Sequence, residues 1–266
     1  NDLVQNVKID YINQSGNFNS SEEMAVRKLT YHTLSGGNYV AGDSISGLTS
    51  GQTATVIGVN YALKTLYLGG ISGLFTSGET IRKDISDSSS SNHKITRNGN
   101  ASISTTQSKF GGVSALFDAS GDYLSILSSS DFAWGTGNFT YECWVYRTTS
   151  GVYQTVFDSR TAEPNIAITI GIDNLNRPYV YVNGSIVIQS ASTVTASTWT
   201  HLALSRSGTS LKLFVNGSQV GSTYTDSNNY TAKPIRIGAD WQSLYGFGGY
   251  LDGIRISSSA RYTTTF

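Results

Sequence analysis

The sequence predicts an all-β protein whose C-terminal two-thirds fold as one antiparallel sandwich, and three observations carry this. Charged residues are only 14% of the 266, against about 25% in an average soluble domain. Gly, Ser, Thr and Asn take their place, residues that suit tight turns and pleated strands. Two Asn-Gly steps, Asn183-Gly184 and Asn216-Gly217, each sit between short strand-like runs. Such steps favour type I′ turns, whose twist matches the paired strands of a hairpin. Finally, Phe139-Thr-Tyr-Glu-Cys-Trp-Val-Tyr146 alternates, placing Phe139, Tyr141, Cys143 and Val145 on one face.

Residues 1–85 read as a small β barrel or roll. Gly37-Asn-Tyr-Val-Ala-Gly-Asp-Ser-Ile45 and Gly73-Leu-Phe-Thr-Ser-Gly-Glu-Thr-Ile81 align without a gap, each a Gly-x-aromatic-x-x-Gly-acid-hydroxyl-Ile string. Between the copies, runs from Thr53 to Val59 and from Thr65 to Leu68 read as two strands joined by a short turn. Two copies are too few for a solenoid. The stretch 86–100 reads as a linker, since Asp87-Ser-Ser-Ser-Ser-Asn92 has nothing apolar to bury. From 101 to 266 the regular strand pattern returns. Tyr179-Val-Tyr-Val182 and Ser185-Ile-Val-Ile188 make the first Asn-Gly hairpin, and Leu211–Val215 and Ser218–Val220 the second.

Charge excludes several functions. Eighteen basic and 18 acidic residues give a formal net charge of zero, and no basic stripe suits nucleic acid. Neutrality gives no attraction to an anionic membrane, and no apolar run is long enough to span one. The single cysteine, Cys143, rules out an intrachain disulfide and reads as a buried small hydrophobe. The chain opens at Asn1 with neither initiator Met nor a signal-like segment, so a fragment or processed form is expected.

Five ordered motifs carry a resemblance. They are Phe117-Asp-Ala-Ser-Gly-Asp-Tyr-Leu124, Phe139-Thr-Tyr-Glu-Cys-Trp-Val145, Trp199-Thr-His-Leu-Ala-Leu-Ser-Arg206, Leu213-Phe-Val-Asn-Gly217 and Leu251-Asp-Gly-Ile-Arg-Ile256. In this order residues 101–266 resemble the laminin-G-like members of the concanavalin A-like lectin/glucanase superfamily, which implies a jelly-roll sandwich. The ending from Ile254 to Phe266 resembles the form this domain takes in tailed-phage virion proteins. The N-terminal Gly-acid-hydroxyl-Ile strings resemble small β modules of phage fibre and structural proteins.

Catalysis finds no residues to run it. A glucanase needs two carboxylates flanking the glycosidic bond, yet beyond residue 100 the only glutamates are Glu142, alone in its strand, and Glu163, before Pro164. His201 is the only histidine there, on a core-like strand; His32 and His93 read as solvated. The resemblance implies a structural calcium at Asp252, with Asp118 brought near by pairing of first and last strands. The alternative is that both acids cap turns or pair with Arg255 and Arg236. Glycan contact would use aromatic faces: Trp241, Tyr245 and Phe247 in one Gly-flexed loop, and Tyr179 and Tyr181 opposite Val180 and Val182. Trp144 and Tyr146, opposite Cys143, qualify by the same pattern but also suit the fold itself.

Together these readings predict a non-enzymatic virion protein of a tailed phage. The N-terminal module would dock to other virion proteins, a homo-oligomer is expected, and the sandwich would face outward for attachment or decoration, with host surface polysaccharide as a ligand. The alternative is a secreted bacterial carbohydrate-binding lectin or adhesin. A degenerate glycosidase or lyase ranks third.

Overall fold

Strands form in this chain where side chains alternate between those that gain by leaving water and those that do not. The computed structural model describes residues 93–266 throughout and, ahead of them, 27–30, 39, 41, 43–47, 50–73, 75, 81–83, 85–86 and 89–91. It divides into two units, Asn1–Ser86 and Asp87–Phe266.

In the first unit, β1 (Arg27–Thr30), β2 (Ser44–Gly47), β3 (Thr53–Asn60), β4 (Thr65–Gly69) and β5 (Ile81–Lys83) form a five-stranded sheet ordered β1-β4-β3-β2-β5. A two-residue strand, β6 (Ile85–Ser86), follows. β3 and β4 are the hairpin read from the sequence, with a bulge between Val56 and Gly58. The aromatic positions of the two motif copies, Tyr39 and Phe75, are both buried with Ile45, Val56, Leu66 and Leu68. Strands β2 and β5, which the copies lead into, pair with each other. Among the described residues no pairing joins β1 to β5, and the expected barrel or roll involves positions outside them. Several other motif positions, and His32, lie outside the described residues.

The second unit is an all-β jelly-roll sandwich of two antiparallel sheets. In chain order its strands are β7 (Lys94–Asn98), β8 (Ser102–Ser104), β9 (Ser114–Asp118), β10 (Tyr123–Ile126), β11 (Phe139–Arg147), β12 (Gln154–Asp158) and β13 (Ile168–Ile172). Then come β14 (Pro178–Val182), β15 (Ser185–Gln189), β16 (Thr200–Ser207), β17 (Ser210–Val215), β18 (Ser218–Thr225), β19 (Ile235–Ile237) and β20 (Gly248–Ser257). Within this unit sheet I runs β15-β14-β13-β12-β19-β10-β7, and sheet II runs β18-β17-β16-β11-β20-β9-β8. Both Asn-Gly hairpins form as read: Asn183 and Gly184 take φ of 47° and 84°, Asn216 and Gly217 48° and 79°, the left-handed pair of a type I′ turn. The linker reading of 86–100 is corrected at its end. Lys94–Asn98 pairs with β10 as a sheet strand, because Ile95 packs against the core.

The inner faces close on Phe117, Phe139, Tyr141, Val180, Leu204 and Leu213. Tyr141 of sheet II meets Phe157 of sheet I with ring centroids 4.0 Å apart. Two side chains differ from their sequence reading. Phe247 is fully buried, edge-on to Phe117 at 6.2 Å, so it fills the core instead of facing a sugar. His93 is not solvated: its ring packs on Phe132 at 4.8 Å and lies 3.1 Å from Asp131. Phe247→Ala should therefore cost the sandwich about 3–5 kcal/mol, while Tyr245→Ala, nearly half exposed, should stay within about 1 kcal/mol. Urea unfolding followed by tryptophan fluorescence measures both.

Candidate functional site

The outward face of sheet I begins with a break in the strand period. β12 bulges between Thr155 and Phe157, so Val156 and Phe157 both enter the core, and Thr155 and Asp158 both emerge on the outer face. Register then builds two outward rows: Thr155, Gly171, Tyr179 and Gln189 in one, Asp158, Thr169, Tyr181 and Ile186 in the next. Gly171 is the floor of the first row. A Cβ there would fall 2.5 Å from the Tyr179 ring, so the bare glycine lets that ring lie down on the sheet. Tyr153 meets Tyr179 at 6.2 Å and Tyr245 at 5.9 Å. The three rings form a chain with Tyr153 in the middle; Tyr153 and Tyr245 are 41% and 45% exposed, while Tyr179 is only 7% exposed. Burial pushes the Tyr179 phenol above its ordinary range.

Asp158 holds the second row together. Its carboxylate has no exposed surface and accepts from Arg160 Nε at 3.0 Å and Nη2 at 2.9 Å, from the Arg160 backbone N–H at 2.9 Å, and from Thr169 Oγ1 at 3.0 Å. It also accepts the backbone N–H of Trp241 at 2.9 Å. Thr155 N–H donates to Tyr245 O at 2.8 Å, and Asp240 Oδ1 accepts from Leu244 N–H at 2.6 Å. The loop 240–247 is thus pinned along β12, and this sets Tyr245 beside Tyr153. Arg160 further reaches Glu163 at 3.2 Å and Asp240 at 3.8 Å, and its guanidinium lies 5.1 Å over the Tyr181 ring. The Tyr181 hydroxyl donates to Glu163. Burial alone would lower the Arg160 guanidinium, but Asp158 and Glu163 hold it above its usual range.

Of the aromatic residues singled out in the sequence, the structure brings Tyr179, Tyr181 and Tyr245 together, and places Trp241 half-buried in the same loop. Tyr153, Asp158 and Arg160 went unread. Only Asp158-Ser-Arg160 at a strand end hinted at them. Asp118 and Asp252 do not meet. Asp118 pairs with Gly248 on β20, so Asp252 stands four residues along that strand, roughly 13 Å away. Asp118 accepts from Ser120 N–H at 2.7 Å, and Asp252 from Lys109 and Phe110 N–H at 2.8 and 2.9 Å. Both cap turns. Among the described residues no group of three His, Cys, Asp or Glu is placed to share a metal.

Glu142 is far from alone. On the outward face of sheet II it lies 3.3 Å from His201 Nε2 and accepts from the Tyr262 hydroxyl at 2.6 Å. Arg261 and Arg255 stand 2.8 and 3.6 Å away. Tyr262 stacks on Phe266 at 3.6 Å, and Phe266 packs on Phe214 at 5.6 Å. The segment 258–266 therefore lies as a strap across β11, β16 and β17. Burial pushes the Glu142 carboxyl up, but His201, Tyr262 and the two arginines outweigh it and hold it below the ordinary range. Cys143, next to Glu142 on β11 but facing the core, is pushed up to about 12 by burial, an inert thiol.

A family model described as the concanavalin A-like lectin/glucanases superfamily matches residues 118–264. The chain belongs to this superfamily. Solved structures of similar fold include domain 4 of AbnA, a GH43 extracellular arabinanase from Geobacillus stearothermophilus, in complex with arabinotriose. It is 20% identical, with a TM-score of 0.54, over 66% of this chain and 88% of that one. Botulinum neurotoxin type C, whose cell entry depends on two ganglioside molecules, gives 11% and 0.50 over 66% of this chain and 46% of its own. The binding domain of botulinum neurotoxin DC in complex with SialylT gives 12% and 0.50 over the same shares. The chain spans less than half the length of these neurotoxin chains. No curated protein matches it in sequence. Within the superfamily these likenesses are of fold.

Asp158→Ala should expose the Trp241 amide to hydrogen exchange and cost about 3–5 kcal/mol; retained protection would contradict the pinning role. The Glu142 network carries a pH dependence. Its folded value lies below the unfolded one near ~4.3, so its contribution is present above that pH and disappears as pH falls through the folded value. Acid unfolding of Glu142→Gln should lack this loss, read as melting temperatures converging with wild type between about pH 5 and pH 3.

Proposed function

We propose that the chain is a non-enzymatic carbohydrate-recognition protein and that the outward face of sheet I is where it holds a glycan. The observation that carries this is the pinned chain of tyrosine rings, Tyr179–Tyr153–Tyr245, beside the acceptor-rich Glu163 and Tyr181. Aromatic faces take up the C–H faces of a sugar ring, and their negative quadrupole favours those polarised hydrogens. Carboxylate and phenol oxygens beside them suit sugar hydroxyls. Because Gly171, Asp158 and the 240–247 loop already fix the rings, little ordering entropy opposes binding. The non-enzymatic part rests on the carboxylates: Glu142 is engaged by the strap on sheet II, and on sheet I Asp158 is fully buried while Glu163 is engaged by Arg160 and Tyr181 and Asp240 by Leu244 N–H, which leaves no free pair to flank one glycosidic bond.

For the setting, we read a tailed-phage virion, with the first unit docking to other virion proteins, a homo-oligomer, and the sandwich outward for attachment to host polysaccharide or decoration. The phage-like strings at both ends support it. A second reading, a secreted bacterial lectin or adhesin, draws on the extracellular arabinanase and toxin domains that share the fold. Immunogold labelling of purified particles decides between them: ordered labelling supports the virion, and a free secreted chain supports the lectin. At the site, Tyr153→Ala and Tyr245→Ala should each weaken glycan binding by about 1–2 kcal/mol in calorimetry while lowering the melting temperature by no more than about 4 °C. Unaltered affinity in both would refute the site.

A further inference from the structure

The charges around the tyrosine chain say more than that a sugar is held. Three carboxylates, Asp158, Glu163 and Asp240, surround a single guanidinium, that of Arg160, at 2.9, 3.2 and 3.8 Å. All three guanidinium nitrogens are committed to those acids: Nε and Nη2 to Asp158, with Nη2 also facing Asp240, and Nη1 to Glu163. The next arginine, Arg236, donates from Nη1 to Asp240 O and Ser243 Oγ, both at 3.0 Å, and lies 4.5 Å over the Tyr123 ring. On the same side Arg177 is tied to Asp173 at 2.8 Å. Recognition of a carboxylate or sulfate ordinarily uses a free guanidinium fork. Here Arg160's fork is closed by acids that outnumber it, Arg177 is tied to Asp173, and Arg236 lies against the Tyr123 ring with Nη1 held by a carbonyl and a hydroxyl.

We propose that this face selects neutral glycans and rejects sialylated, uronate-bearing or sulfated ones, an inference that rests on the glycan site proposed above. An anionic oligosaccharide seated on Tyr245 and Tyr153 and extending along the face to Tyr181 would approach Glu163, which Tyr181 contacts and which is one-third exposed. There it would meet repulsion with no cation released to offset it. A neutral sugar meets the same oxygens as hydrogen-bond acceptors for its hydroxyls. The carboxylates thus act twice: they hold Arg160 and Tyr181 in place, and they set the sign of the ligand.

The test is a glycan array of neutral oligosaccharides printed beside their sialylated, uronate and sulfated counterparts, probed with the full chain and with Tyr245→Ala and Glu163→Gln. Wild type should favour the neutral member of each pair roughly tenfold or more, Tyr245→Ala should lose the signal, and Glu163→Gln should narrow the gap. Tyr245-dependent preference for the acidic members overturns the neutral class while leaving the site standing. An unchanged gap in Glu163→Gln overturns the electrostatic cause. Retention of no glycan, or retention indifferent to Tyr245→Ala, overturns the site and this inference together.

Discussion

One buried carboxylate organises the face on which this protein's function is read. Asp158 receives a side chain and a backbone N–H from Arg160, a hydroxyl from Thr169 and a backbone N–H from Trp241, more than 80 positions further along the chain. A charge with no exposed surface is tolerated only when its lone pairs are met this completely. Meeting them fixes a strand end, a neighbouring strand and a distant loop at once. The bulge in β12 makes this geometry available: without two consecutive core residues, Asp158 would point between the sheets.

The two outward faces of the sandwich are treated differently. On sheet II the strap 258–266 covers β11, β16 and β17, and Glu142 fastens it through Tyr262 and Arg261. On sheet I nothing of the described second unit lies over Tyr245 or Tyr153, which stay 45% and 41% exposed. Exposed aromatic rings held rigid by buried polar groups are unusual for a surface with no partner. Their acidic surroundings, in which three carboxylates occupy the one guanidinium of Arg160, then restrict which partner fits.

Legibility in the sequence followed distance along the chain. The Asn-Gly hairpins and the alternation of β11 are local, and both could be read from neighbouring residues. The outward placement of Tyr179 and Tyr181 followed from period two alone. The burial of Tyr179 did not, because it depends on Gly171 on the next strand and on Tyr153 in another loop. Phe247 was misread for a related reason: an aromatic beside glycines in a loop looks exposed until the loop's return to β20 carries it between the sheets. Asp118 and Asp252 belong to strands that do pair, as expected, but register rather than pairing decides whether two carboxylates meet. Glu142 looked solitary because its partners come from residues 201 and 255–262.

The central claim, that sheet I's outward tyrosines hold a glycan, is tested most directly by NMR of the chain with labelled tyrosine and tryptophan rings, titrated with a neutral oligosaccharide retained in solution. The account predicts that ring resonances of Tyr153, Tyr179, Tyr181 and Tyr245 shift together with one dissociation constant. Shifts confined to Trp144, Tyr146 and Tyr250 on sheet II would place the sugar on the opposite face and contradict it.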